Sequence, residues 1–256
     1  MPNSGPALEF RQVSVRIGGS LILDNLSFTV EHGQTLTLLG RSGAGKTTAL
    51  RMINALLLPT EGEVLVEGRS TTAWDLIQLR RGMGYVIQEV GLFPHFTIAE
   101  NVGLVPRLEG WPEERIAQRT EDLLRQVGLD PDEFEQRYPR QLSGGQRQRV
   151  GVARALAADP RFLLLDEPFG ALDPVNRLEL QDQFLALRDR LGKTSVFVTH
   201  DVREAMRVGT HIALLDRGHL EILTTREQFL RSDGPEARAF LAALDQGAAI
   251  NSAGLL

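Results

Sequence analysis

The sequence predicts an α/β fold with an antiparallel β part at its start and a helical subdomain set into its middle. Three observations carry this. Phe162-Leu163-Leu164-Leu165 is a continuous apolar run ending in Asp166, the pattern of a strand buried on both faces. A second short apolar run, Gln34 to Leu39, leads straight into a glycine-rich loop and then a helical pattern. Between about 89 and 158 the apolar spacing changes from that of strands to that of helices.

Taken in order, Leu8 to Val30 alternates apolar and polar residues and is rich in β-branched side chains. It predicts antiparallel strands with turns at Gly18-Gly19 and His32-Gly33. Gln34 to Leu39 is the next strand. Thr48 to Leu57 predicts a helix stopped near Pro59. Met83 to Ile87 is a strand ending at Gln88. Within the insertion from Glu89 to Ala158, Pro112 to Val127 carries Ile116, Leu123, Leu124 and Val127 at helical spacing, with Pro112 suited to the first turn. Ser143 to Ala158 is a second helix. Strands return at Phe162 to Asp166, Ser195 to Thr199 and Ile212 to Asp216. After Asp233 a short helix, Glu236 to Leu244, is expected to lead into a frayed tail of small residues.

At 256 residues, 42% of them hydrophobic and 24% charged, the chain can bury a sizeable core, as one large domain or a domain with a subdomain. The net charge of -5 argues against holding nucleic acid by bulk electrostatics. There is no cysteine, which excludes disulfides and thiolate metal sites and fits a reducing compartment. Met1 to Phe10 has neither a basic start nor an apolar run of signal-peptide length, and no segment is long and apolar enough to span a membrane. Any membrane role is expected to run through a partner.

Gly40-Arg41-Ser42-Gly43-Ala44-Gly45-Lys46-Thr47-Thr48 matches the phosphate-loop pattern without gaps, in the right strand–loop–helix context. Its glycines let successive backbone N–H groups face a phosphate, and the helix start adds partial positive charge. Lys46 is expected to reach the β- and γ-phosphates and Thr47 to ligate Mg²⁺. Asp166, at the C-terminal end of its strand, is expected to hold Mg²⁺ through water. Glu167 beside it is the candidate general base. Ser143-Gly144-Gly145-Gln146 has the form of a capping box. Two glycines in a first helical turn cost on the order of 1 kcal/mol each against alanine. They make sense where an anion such as a γ-phosphate must come close.

With Leu142 in front, that box reads Leu-Ser-Gly-Gly-Gln, and the motif set over residues 8 to 230 resembles the ATP-binding subunits of ABC transporters. The resemblance implies a P-loop NTPase core of the ABC-ATPase type, placed here at residues 8–232. Its helical subdomain falls at about 89–158, and a short C-terminal helix and tail occupy 233–256. It implies ATP and Mg²⁺ as cofactors and a second copy of the chain as partner. ATP would lie between Lys46, Thr47 and Asp166 of one copy and Ser143 to Gln146 of the other. Gln88 matches the family's glutamine loop, which reaches Mg²⁺ and the attacking water. Asp173 in Gly170-Ala171-Leu172-Asp173 matches the loop touching the opposite subunit, with Gly170 where serine is usual. His200 matches the switch histidine at the γ-phosphate. One position departs from the pattern. The family usually stacks an aromatic ring on adenine, and here that position is Ile17, with no aromatic between Phe10 and Phe28.

The segment Gln88-Glu89-Val90-Gly91-Leu92-Phe93-Pro94-His95-Phe96, with Gly110-Trp111-Pro112 beyond it, is similar to that of osmoprotectant importer ATPases, which move glycine betaine, choline, carnitine or proline. The resemblance implies integral permease subunits as partners, a substrate-binding protein indirectly, no nucleic acid, and a peripheral place on the cytoplasmic face of the inner membrane. An importer ATPase for another small solute, such as an amino acid or polyamine, stays open as an alternative. A soluble ABC ATPase without a membrane partner is a more distant one, since it predicts two motif sets, coiled coils or basic patches, which the sequence lacks. Many osmoprotectant members carry C-terminal regulatory domains. After Asp233 none is expected here, so osmotic gating would reside elsewhere.

Overall fold

The computed structural model describes residues 5–88, 90–170 and 172–253. They fall into two compact units, one drawing on Met1–Trp74 and Val196–Leu256, the other on Asp75–Ser195. Glu89 and Ala171, both within segments singled out in the sequence, lie outside the described residues.

The first unit opens with β1 (Leu8–Ile17) and β2 (Ser20–Val30), an antiparallel hairpin joined by Gly18 and Gly19. Both glycines have positive φ, 57° and 84°, as a two-residue hairpin turn with the twist of its strands requires. Phe10 and Phe28 are paired across the strands and their rings stack 4.4 Å apart. Strict alternation would turn Val13 and Val15 outward after Leu8 and Phe10. Gln12, at φ 49°, introduces a register shift that returns them to the buried face. β3 (Thr35–Leu39) is buried along its whole length, and α1 (Lys46–Ile53) follows it. This helix starts two residues before the expected Thr48 and stops before Leu57. Gly45 is its N-cap at φ 96°, and Ala55, at φ 51°, has already left the helix. β4 (Glu61–Val66) pairs with β1, and β5 (Arg69–Ser70) with β4.

The second unit begins with α2 (Leu76–Arg81), capped by the Asp75 carboxylate, and β6 (Met83–Val86). Its helices are α3 (Ile98–Leu108), α4 (Glu113–Gln126), α5 (Pro131–Phe134) and α6 (Gly144–Leu156). Pro112 proves to be the N-cap of α4 rather than part of its first turn. Gly103 of α3 lets Ile116 of α4 pack closely, since a Cβ there would lie 2.7 Å from the Ile116 side chain. Arg119 of α4 donates to the carbonyls of Leu156 and Ala157, satisfying the end of α6. β7 (Phe162–Asp166) runs parallel to β6, and α7 (Pro174–Leu191) closes the unit.

The chain re-enters the first unit through β8 (Thr194–Thr199), followed by α8 (Val202–Val208), β9 (His211–Asp216), β10 (His219–Thr225), α9 (Arg226–Phe229) and α10 (Pro235–Ala253). The strand order here is β10-β9-β3-β8, with β3 and β9 parallel. α10 runs well past the expected end at Leu244. The small residues read as a frayed tail include Ala248, Ala249 and Ala253, and alanine has the highest helix propensity of all residues. Leu39, Val202, Ala205, Ile212, Leu214, Phe229 and Ala237 form a buried cluster, against which Phe240, Leu241 and Leu244 pack.

Phe229 is fully buried in that cluster. Truncation to alanine is expected to destabilise the protein by about 3–5 kcal/mol. Urea unfolding of wild type and Phe229→Ala checks this; a midpoint shift with an unchanged slope is the expected form.

Candidate nucleotide-phosphate site

The phosphate loop lies in the first unit, between β3 and α1. Gly40 is pressed against β9, where a Cβ would sit 2.3 Å from the Leu215 carbonyl oxygen. At Gly45 a Cβ would meet the Leu23 side chain at 2.4 Å. Both positions therefore demand glycine because other backbone and core atoms lie close by. α1 starts without any side-chain cap, so its first turn presents backbone N–H groups and positive dipole to the loop. Lys46, only 5% exposed, donates to the carbonyl oxygens of Gly40 (2.8 Å) and Arg41 (2.9 Å). The buried ammonium is satisfied, and its position is tied to the backbone of the loop. Arg41, Ser42 and Gly43 are exposed at the tip, and Thr47 and Thr48 are partly buried behind Lys46.

In the same unit His200 is exposed directly after β8. The hydroxyl of Thr199 donates to the buried carboxylate of Glu204 (2.6 Å) and accepts from the Asp201 N–H (3.0 Å), while Asp201 caps α8. Ile17 ends β1 beside the Gly18-Gly19 turn and is 48% exposed, available for contact but not as an aromatic platform.

The second unit carries the other candidates. Asp166 is buried at the C-terminal end of β7. Glu167 follows at φ 44°, a left-handed conformation that costs a non-glycine residue on the order of 1–3 kcal/mol. Gln88 is exposed, and its Nε2 lies 3.5 Å from Glu167 Oε2, a long contact that nevertheless brings two predicted residues together. Ser143 is the N-cap of α6. Its hydroxyl accepts from the Gln146 N–H (3.2 Å), and the Gln146 side chain accepts from the Ser143 N–H (2.8 Å), a complete capping box. Gly144 and Gly145 form the first turn. Asp173 is exposed ahead of α7 and accepts from the Val175 N–H.

Three features of the second unit have no counterpart in the sequence pattern. A cavity of about 350 Å³ is lined by Met83, Tyr85, Phe93, Leu104, Val105 and Arg154, among others. Arg154 donates to the carbonyls of Val90 (2.7 Å) and Gly91 (2.8 Å), so α6 grips the segment that follows Gln88. Burial lowers the pKa of this guanidinium, and the two carbonyl bonds offset the loss of water. Asn101, fully buried on α3, organises the next stretch by donating to the carbonyls of Phe93, Phe96 and Thr97 and accepting from the Phe93 N–H. The only local signal for α3 was Thr97 with Glu100 three residues on, which the structure resolves as a capping box.

A family profile described as ABC transporter matches residues 23–170. The osmoprotectant import ATP-binding protein OsmV of Salmonella typhimurium is 48% identical over 84% of this chain and 56% of its own length. The glycine betaine/carnitine/choline transport ATP-binding protein OpuCA of Bacillus subtilis is 45% identical over 90% of this chain and 60% of its own. The chain thus spans little more than half the length of these relatives. Among solved structures, the ATP-binding cassette MJ0796, in a dimeric post-hydrolysis state bound to ADP and Pi, superposes with a TM-score of 0.77 at 34% identity, covering 86% of this chain and 98% of that one. The chain belongs to the ABC transporter family, among its ATP-binding cassettes.

Replacing Ile17 by a ring tests what the aliphatic position costs. Aromatic stacking contributes about 0.5–1.5 kcal/mol beyond area burial, so Ile17→Tyr is expected to tighten ATP binding by roughly 2- to 12-fold. Wild type is expected to separate ATP from GTP less well than the variant. Affinities and hydrolysis rates for both nucleotides measure this; equal values unchanged by the substitution would remove Ile17 from the base site.

Proposed function

We propose that this chain is the ATP-binding and ATP-hydrolysing subunit of an ABC importer of osmoprotectants such as glycine betaine, choline, carnitine or proline. The observation that carries the reading is 48% identity over 84% of the chain to an osmoprotectant import ATP-binding protein. The cassette is read as residues 8–232, with a helical part at about 89–158 and a C-terminal helix and tail at 233–256.

In this reading the loop from Gly40 to Thr48 holds the ATP phosphates, with Lys46 moving from loop carbonyls to phosphate oxygens. Among the described residues no group of three or more His, Asp or Glu could cage a metal. Mg²⁺ would then be held chiefly by phosphate oxygens, with the Thr47 hydroxyl, Asp166 and Gln88 as its hard-oxygen partners from the protein. When bound it would neutralise phosphate charge. Glu167 takes a proton from the attacking water as the new P–O bond forms and ADP leaves; Gln88, 3.5 Å from that carboxylate, orients the water. His200 contacts the γ-phosphate. Ser143, Gly144, Gly145 and Gln146 receive the γ-phosphate of a second copy, and Asp173 touches that copy.

Among the described residues no helix is long and apolar enough to cross a membrane. In this reading integral permease subunits form the path, served by a substrate-binding protein. The cavity between β6, α3 and α6, open and largely apolar, is the proposed permease contact. The subunit would sit peripherally on the cytoplasmic face of the inner membrane.

Two outcomes are expected. Glu167→Gln should bind ATP and dimerise while losing about 10²- to 10⁴-fold in kcat, measured by phosphate release and by size-exclusion chromatography with ATP. Turnover at the wild-type rate would rule out Glu167 as the base. Co-expressed with the permease and binding protein of an osmoprotectant importer in cells lacking osmoprotectant uptake, the chain should restore accumulation of labelled glycine betaine or choline. Restored uptake of an amino acid or polyamine alone would reassign the cargo.

A further inference from the structure

We infer that Glu236, on the C-terminal helix, is a positioning residue for nucleotide binding, acting through Arg41 on the phosphate loop and its lysine. The inference rests on the reading of Gly40 to Thr48 as the ATP-phosphate site.

Arg41 is held at both ends. Its main-chain carbonyl accepts from the Lys46 ammonium at 2.9 Å and from the Ala44 N–H at 3.2 Å, so its backbone sets where the lysine rests. Its guanidinium forms a fork on the Glu236 carboxylate: Nε donates to Oε1, and Nη2 donates to Oε2 at 3.3 Å. The two residues are 195 positions apart in sequence. The partners are unequally exposed, with the Glu236 side chain at 19% and Arg41 at 67%. The carboxylate is therefore the fixed member and the arginine the one being placed. Gly40, just before Arg41, is already pinned by its fit against the Leu215 carbonyl.

Glu236 is fixed because α10 is fixed. The neighbouring Ala237 is buried in the cluster with Val202 and Ala205 of α8, and Phe240, Leu241 and Leu244 pack on it. α8 begins two residues after His200. A single helix thus touches the phosphate loop through an ion pair and packs beside the segment that presents the candidate switch histidine. A bidentate pair constrains direction as well as distance, which a lone ammonium could not do. A displacement of α10 would therefore be felt first at Arg41, next at the carbonyls that hold Lys46, and then in phosphate affinity.

Because one partner is exposed, the effect on binding is about 2- to 5-fold rather than an abolition. The experiment titrates the full chain with a fluorescent trinitrophenyl-ATP analogue, using wild type, Glu236→Ala, Glu236→Gln, Arg41→Ala, the Arg41→Ala/Glu236→Ala double variant and Lys46→Ala, with a thermal melt of each. Glu236→Ala is expected to weaken binding about 2- to 5-fold at an unchanged melting temperature, with Glu236→Gln intermediate. Arg41→Ala should reproduce the loss, and the double variant should add nothing to it. The difference between wild type and Glu236→Ala should shrink at high salt, as expected for an exposed pair. Wild-type affinity in Glu236→Ala overturns the inference. So does an equal further loss when Glu236 is removed from Arg41→Ala, or a loss that follows the melting temperature. Undiminished binding by Lys46→Ala would instead sink the phosphate-loop reading itself, so the two failures are told apart.

Discussion

α1 starts with no side chain to cap it. In most helices a serine, threonine or aspartate takes up the orphan N–H groups, as Asp75, Thr97 and Ser143 do for α2, α3 and α6 in this chain. At α1 that task is left to the loop and to whatever anion the loop receives. The surrounding structure is consistent with this open start. Gly45 adopts a conformation that an L side chain rarely takes, Gly40 lies against β9, and β3 behind them is fully buried. The rigid core fixes the loop, and the buried lysine donates to two loop carbonyls. Loop and lysine are tied together, since the two carbonyls that hold the ammonium belong to the loop itself.

The parts of this arrangement that were legible in the sequence are local. A Gly-Gly pair between alternating strands, a continuous apolar run ending in Asp-Glu, and a serine three residues ahead of a glutamine each have a short-range physical cause, and each appears in the fold as a turn, a strand and a cap. What was not legible depends on contacts between distant residues or on mixed local signals. α3 contains Gly103 and Pro106, both poor helix formers, and it forms because Ile116 packs over the glycine and Asn101 gathers four backbone groups of the preceding segment. β4 carries two glutamates and a glycine in six residues and is recruited by pairing with β1. α10 outran its expected end because its small residues favour a helix as readily as a loose tail.

The same division holds at the candidate site. Glycine, lysine and carboxylate positions were readable because each belongs to a contiguous motif. Arg154, which grips the segment after Gln88 from 63 and 64 residues further on, has no contiguous signal, since its partners are main-chain carbonyls that any sequence supplies. Glu236 was equally silent: one glutamate near the start of a helix, whose meaning depends on the arginine across the fold. Candidates for chemistry announce themselves by type and spacing. Residues that place them do so through geometry, and only the folded chain displays it.

Two glycines on α6 make the complementary argument about what lies outside the chain. At Gly151 a Cβ would sit 2.5 Å from the Val90 side chain, so the chain's own packing accounts for glycine there. At Gly144, seven residues earlier, a Cβ would meet nothing within 4 Å among the described residues, and the backbone is ordinary helix. Glycine in that first turn costs helix stability on the order of 1 kcal/mol against alanine, and no internal contact compensates. The face of the turn beside Gly144 is therefore open to a group from outside the chain. In the proposed function that group is the phosphate delivered by a second copy. An alanine at 144 would meet nothing within 4 Å among the described residues, while adding a methyl group at the place where the proposed function brings that phosphate.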